Sequence, residues 1–285
     1  MIDLHLHTLN SDGRDTPVQI LEKAEKLGLD AISITDHDTV DSYLQLKDVD
    51  VATIYGGKLI PGVEITAVLD GTCVHILGYN IDADIMNAKM RKISQSDMLA
   101  FVCKRFEEVL SKYGVIHKCN YGSIRDLVVN TLELGVLDKL PFNVDIAPGE
   151  NNAPSGSVLF FRHILNKNSK LHVDLTGFLV EALDAIELIR ECGGIAVLAH
   201  PAQCYDQKEE IIETLIGKID GIECYHWSAT PAYRDYLIEL CKENNLIVTG
   251  GSDHHGEDTM GSQNVPNDLL CAIIGDVKSN NCKST

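Results

Sequence analysis

Apolar and polar positions alternate from the first residues: Ile2, Leu4 and Leu6 fall between Asp3, His5 and His7. That is the period of a β-strand, and it sends both histidines out of one face, two residues apart. Thr16-Pro17 then supplies a helix cap and a favoured first helical residue. Ile20, Leu21, Ala24 and Leu27 share a helical face, and Gly28 can close the helix. Residues 30–35 (DAISIT) read as a short buried strand running into Asp36-His37-Asp38, followed by a helix through Leu46. Lys58 to Glu64 and Thr72 to Tyr79 read as two more strands, the first ending in Glu64 and the second carrying His75 inward.

The pattern changes between about Ile81 and Leu183. Met98 to Tyr113 has helical periodicity, and Asn143 to Gly156, rich in Pro, Gly and Asn, reads as loop. Residues 85–180 are therefore expected to form an inserted, mainly helical small domain. Strand and helix then alternate again: a helix from Ala182 to Cys192, a strand Ile195–Ala199 ending in His200-Pro201, a strand Asp220–Tyr225, a helix Tyr233–Glu243, and a strand Leu246–Thr249 that runs into GGSDHHG, residues 250–256. Seven short strands, each followed by a helix or an insertion, predict an α/β fold with a parallel, barrel-like sheet built from residues 1–84 and 181–285. In such a barrel the ends of the strands converge on one mouth.

Length and charge narrow the reading. The 285 residues exceed the ~100–200 usual for one domain, yet an α/β barrel can use them as a single unit. Lys+Arg 24 against Asp+Glu 42 gives −18, which argues against duplex DNA as a partner but leaves room for a small phosphate ester or a short RNA. Nine cysteines form no CxxC pair, and neither a signal-peptide pattern nor a membrane-length apolar run is present. The expectation is a cytoplasmic protein with reduced thiols and no membrane contact.

The candidate chemistry sits at the mouth. His5, His7, Asp12, His37, Glu64, His75, His200, Asp253 and His255 all fall within or just after a predicted strand end, and six of the eleven histidines are among them. Imidazoles mixed with carboxylates suit Mn, Zn or Fe. Nine ligands suffice for two or three divalent ions if a carboxylate bridges. Such a cluster can bring a bridging water's pKa near neutrality and offset the charge of a phosphoryl group. We take Asp12, His37, Glu64, His200 and Asp253 as the catalytic candidates.

LHLHT, SDG, TDHD, GVE, HILGY, AHP and GGSDHHG together resemble the polymerase and histidinol phosphatase (PHP) family of metal-dependent phosphoesterases, over roughly residues 1–80 and 190–260. The resemblance implies a distorted (β/α)7 barrel. It also implies one ion held by His5, His7, Glu64 and Asp253, a second shared by Glu64 with His75 and His200, and a third on Asp12, His37 and His255. Asp12 stands where histidinol phosphatases of the family have histidine, so SDG points to the branch that cleaves nucleotide phosphates, nucleoside 3′,5′-bisphosphates or 5′ RNA ends. Asp36 and Asp38 are expected to support ligands or orient substrate.

Residues 85–180 lack the Arg-Pro-His element of that branch. Arg125, Arg162 and His163 are its nearest chemical substitutes, while Arg14 and His226 lie nearer the mouth as candidate phosphate contacts and His254 as a candidate wall for a base. The alternatives are a histidinol-phosphate phosphatase, a 5′-end exoribonuclease, an amidohydrolase-like reaction, or a non-catalytic metal-binding module. No lysine at a predicted mouth supports the amidohydrolase, and the full ligand set disfavours the module.

Overall fold

The computed structural model describes residues 1–147, 154–256 and 258–273. Seven strands follow one another around the sheet: β1 (Ile2–Leu6), β2 (Ala31–Ile34), β3 (Lys58–Leu69), β4 (Thr72–Tyr79), β6 (Ile195–Leu198), β7 (Gly221–Tyr225) and β8 (Ile247–Gly250). A two-residue β5 (Val180–Glu181) pairs with the far end of β3. The sheet nearly closes, because Leu6 bridges to His254 just beyond β8 and the Asp253 amide donates to the His5 carbonyl at 3.0 Å.

The expectation of a wholly parallel sheet needs correction. β3 and β4 form an antiparallel hairpin through Asp70-Gly71, and β4 is also antiparallel to β6. Only two residues separate these strands, too few for the dozen or more a parallel crossover needs. The reversal changes how two site residues reach the mouth. β3 runs twelve residues, pairing with β2 over Lys58–Pro61 and with β4 from Gly62 onward, so Glu64 lies mid-strand beside His37 rather than at a strand end. His75 lies mid-strand on the returning β4, opposite Thr66.

Helices cover the sheet as their apolar stripes require. α1 (Pro17–Leu27) starts with a capping box between Thr16 and Gln19, ends at Gly28 in the left-handed region, and buries Ile20, Leu21 and Ala24. Behind it come α2 (Asp41–Leu46) and α3 (Ala83–Lys89). Between α3 and β5 the chain forms α4 (Gln95–Ser111), α5 (Ile124–Glu133) and a single turn, α6 (Ser155–Ser157), that runs into a π-helix over Val158–Ile164. α4 buries Val102, Phe106 and Leu110, α5 buries Leu127, and with Leu159, Leu171 and Val173 these make a core separate from that of the barrel. The barrel core joins strand residues such as Ile34, Ile65, Ile76 and Ile222 to α1, α7 (Ala182–Glu191), α8 (Lys208–Leu215) and α9 (Pro231–Glu243). Of the loop expected over Asn143–Gly156, residues 148–153 lie outside the described residues.

Seven of the described cysteines are free thiols, but Cys271, within the last described helical turn (Leu270–Ile273), is disulfide-bonded, against the expectation of reduced thiols throughout. Cys282 lies outside the described residues. No described helix is long and apolar enough to cross a membrane.

Candidate metal centre

The centre is assembled around one carboxylate. Glu64 is fully buried. Its Oε2 lies 3.1 Å from His5 Nε2, 3.3 Å from His7 Nε2 and 3.2 Å from His37 Nδ1. Its Oε1 lies 2.9 Å from His75 Nδ1 and 3.0 Å from His200 Nε2. Asp253 closes the first group, with Oδ1 3.2 Å from His7 Nε2 and 3.5 Å from His5 Nε2. Beside it, Asp12 Oδ1 is 3.1 Å from His255 Nε2 and 3.7 Å from His7 Nδ1, and Asp12 Oδ2 is 3.9 Å from His37 Nε2.

All nine candidate ligands therefore meet at one place. Three groups among them have nitrogen and oxygen atoms close enough to share an ion: His5 with His7 and Glu64; His37 with Glu64 and His75; and His7 with Asp12, His37 and His255. His7 and His37 each face two groups, so the boundaries between ion sites are less sharp than the family resemblance implies.

Local sequence explains the convergence. Asp3, buried in β1, accepts from the backbone amides of Ser252 at 2.9 Å and Gly261 at 2.7 Å, drawing the segment after β8 onto the first strand. Gly251 makes this approach possible, since a Cβ there would stand 2.3 Å from His5 Cβ. Asp36 Oδ1 accepts from the Thr8 amide at 2.6 Å and from Ser11 Oγ at 2.8 Å, which shapes the loop that carries Asp12. Asp38, His200 and Asp253 have φ of 52°, 24° and 55°. Such left-handed backbone in non-glycine residues gathers at functional sites, where the surrounding structure holds the strain.

Burial and charge oppose each other throughout. At His5 burial disfavours the imidazolium, but the carboxylates of Glu64, Glu223 and Asp253 outweigh it and hold the pKa well above the histidine norm. His7 is pushed up to about 10 in the same way, with Asp253, Glu64 and Asp12 overcoming burial. The surrounding imidazoles hold Glu64 and Asp253 well below the carboxylate range despite their burial. At His37 burial wins, helped by His7 and His75, and the pKa falls to about 3.

Protons on His5 and His7 thus offset part of the buried negative charge. The stability that His5 and His7 contribute is complete below the ordinary value of 6.5 and is lost as pH rises through their raised values, about 10 for His7. A metal must displace these protons. Mn²⁺ uptake near pH 7 is expected to release protons, seen in calorimetry as a binding heat that varies with the buffer's ionisation enthalpy; a heat independent of buffer would contradict this.

The residues present fit metal ions. His7 Nε2 and His37 Nδ1 are buried with no hydrogen-bond partner, although carboxylate oxygens lie within 3.3 Å of each. A buried polar atom left in that way is costly unless something else satisfies it, and imidazoles and carboxylates are the donors that Mn, Zn and Fe take.

Comparison with known proteins agrees with this geometry. Residues 3–128 match the PHP domain family. Residues 3–128 thus carry a PHP domain, the part of the chain that holds His5, His7, Asp12, His37, Glu64 and His75. It is 29% identical to a phosphoribosyl 1,2-cyclic phosphate 1,2-diphosphodiesterase of Eggerthella lenta, over 90% of this chain and 94% of that one. It is 27% identical to a 5′-3′ exoribonuclease of Salmonella typhimurium, over 89% and 84%, and 25% identical to a 3′,5′-nucleoside bisphosphate phosphatase of Chromobacterium violaceum, over 93% and 92%. Among solved structures, an amidohydrolase of Chromobacterium violaceum with bound sulfate and no metal superposes with a TM-score of 0.66 at 23% identity, covering 91% of this chain and 89% of that one, a likeness of fold. These likenesses make the chain a metal-dependent phosphoesterase.

The residues expected to touch substrate fare unevenly. Arg14 lines the cleft above the cluster, lying across Gly256 beside His255. Arg125 lines the same cleft. Arg162 and His163 do not: Arg162 Nη1 donates to Asp145 Oδ2 at 3.0 Å, and His163 Nε2 donates to the Asp145 carbonyl at 2.7 Å, because the π-helix turns its two phenylalanines toward the cleft instead. His226 is buried inside the cluster, its Nε2 3.3 Å from Asp253 Oδ2 and its Nδ1 bonded to Ser228 Oγ at 2.7 Å, which leaves it little surface to offer a phosphate. His254 is buried between Asp15 and Thr259 and offers no wall for a base. One residue of the centre escaped the sequence reading altogether: Glu223, fully buried in β7 and bonded to His5 Nδ1 at 2.9 Å. Its only signal was a carboxylate inside the apolar strand GIECY.

Proposed function

We propose that this protein hydrolyses the phosphomonoester of a nucleotide or nucleoside 3′,5′-bisphosphate at a centre of two or three divalent ions, Mn, Zn or Fe. The observation that carries the reading is the division of Glu64: one oxygen faces His5, His7 and His37, the other faces His75 and His200. A carboxylate so placed is suited to bridge two ions, and Asp12 with His255 offers a third position. When bound, such ions supply Lewis acidity, an activated water and charge to offset the phosphoryl oxygens.

The chain's own residues do the rest. His5, His7, His37, His75, His200 and His255 would present neutral nitrogens, and Asp12, Glu64 and Asp253 would balance the ionic charge. Arg14 supports a role in orienting the phosphate, since its guanidinium can bond two oxygens at once. Substrate would enter a cleft of 1580 Å³ between the mouth and the segment over residues 85–180, whose wall includes Lys104, Tyr121, Phe160 and Phe161. The Phe161 ring stands edge-on to His75, 6.5 Å between centroids, near where the leaving group of a bound ester would lie. The separate core of that segment supports its reading as an inserted domain over 85–180 in a barrel of 1–84 and 181–285.

Base stacking on an aromatic ring is worth about 1–3 kcal/mol. Phe161→Ala is expected to raise KM for a nucleotide by about tenfold while leaving hydrolysis of a small aryl phosphate within twofold; equal losses on both would contradict the placement.

A second reading, a 5′-end exoribonuclease, is favoured by the cleft itself, which exceeds the about 300–1,000 Å³ of small-ligand pockets. Histidinol phosphate is disfavoured by the carboxylate at position 12, and duplex DNA by the net charge of −18. A cytoplasmic setting remains part of the reading, supported by the seven free cysteines, with Cys271 as the exception. The test is a Mn²⁺-supplemented panel of nucleotides, nucleoside 3′,5′-bisphosphates, histidinol phosphate and short 5′-phosphorylated RNA. Preferred release of phosphate from a mononucleotide or bisphosphate supports the reading; preference for RNA substitutes the second, and no turnover of any member would overturn both.

A further inference from the structure

We propose that Glu223 is a positioning residue that sets the tautomer of His5 and ties it to the peptide of His200, so that one buried carboxylate prepares both halves of the metal centre. The inference rests on the reading of the cluster as a metal site and extends it to a residue outside the ligand set. Glu223 is fully buried in β7 and spends each oxygen on a different donor. Oε1 accepts from His5 Nδ1 at 2.9 Å, and Oε2 accepts from the His200 backbone amide at 2.9 Å. With one proton fixed on Nδ1, the His5 ring would present a bare Nε2 to a metal that displaced the second proton, on the side of Glu64 and Asp253, whose oxygens lie 3.1 and 3.5 Å from that atom. The other bond restrains the peptide of His200, whose φ of 24° lies in the left-handed region and whose Nε2 reaches the opposite oxygen of Glu64.

Two N–H donors therefore require two acceptors, and glutamate is the side chain of this length that offers both. Glutamine has the same shape and offers one. If its carbonyl keeps the His200 amide, its NH₂ group must face His5 Nδ1. That ring then carries its proton on Nε2, where it blocks ligation. If its carbonyl keeps His5, the NH₂ group confronts the His200 amide and the strained peptide loses its restraint. Either arrangement damages one half of the centre. Partners that orient ligands in this way typically contribute about 10–100-fold in metal affinity.

The experiment is a Mn²⁺ titration by calorimetry of the full chain, the E223Q variant, His5→Ala and the double variant, with circular dichroism confirming the fold of each. Glu223→Gln is expected to weaken binding 10–100-fold, and to weaken it by less than threefold when His5 is already alanine. Unchanged affinity in E223Q, or the same fold-change in both backgrounds, would overturn the inference. Should E223Q fail to fold, the tautomer of His5 in the metal-loaded parent decides the matter: long-range ¹H–¹⁵N correlation is expected to place the proton on Nδ1, and a proton on Nε2 would refute it. If the parent itself binds no Mn²⁺, the metal-site reading fails and not only this extension of it.

Discussion

Replacing Glu64 by glutamine is expected to lower phosphate release by about 10³-fold or more. The side chain keeps its shape, but the charge that faces five imidazoles disappears, and with it the atom pair suited to join two ions. Several kcal/mol of charge stabilisation depend on ions being held there, and each ~1.4 kcal/mol is a factor of ten in rate. The metal-free variant should also suffer. Removing one partner from a buried charged set costs about 3–5 kcal/mol, and in this chain the penalty should fall as pH rises and the imidazoles lose their protons. Turnover below each protein's melting temperature and metal content by elemental analysis check the first claim; melting temperature against pH checks the second. A variant that keeps its metal and its rate would remove the central carboxylate from the mechanism.

Asp253→Asn should nearly abolish turnover while sparing the fold. Asp253 sits at φ 55°, and asparagine accepts that backbone as readily as aspartate does. What is lost is an anion within 3.6 Å of His5, His7 and His255 at one oxygen and 3.3 Å from His226 at the other. The comparison with chelation is informative. Treating the parent with a chelator should abolish hydrolysis of a generic aryl phosphate and Mn²⁺ should restore it, whereas the variant should stay inactive after the same exchange. Full activity in the variant would contradict the proposed ligand role.

That these nine side chains meet was legible in the sequence, because strand ends gather them and imidazoles mixed with carboxylates are the donors that divalent ions take. His5 and His7 two apart, His37 after a strand and Asp253 after a glycine pair all announced themselves. What stayed hidden was the direction of partners. A carboxylate buried in a strand, such as Glu223, has no periodic pattern to betray it, since its value lies in two donors that are 218 and 23 residues away. The antiparallel turn of β4 was equally obscure from apolar runs, which look alike in either direction. Arg162 and His163 misled because a π-helix widens the turn, and a reading based on α-helical spacing cannot say which side of it faces a cleft.

The pinning of Asp3 to Ser252 and Gly261, 249 and 258 positions later, has a consequence for biosynthesis. A nascent polypeptide emerging from the ribosome carries His5 and His7 well before Asp253 and His255 and cannot enclose them until β8 and the residues after it have been translated. Throughout that interval the early histidines are open to adventitious ions. The order of synthesis thus makes completion of the cluster a late event, coupled to the docking of the segment after β8 against β1.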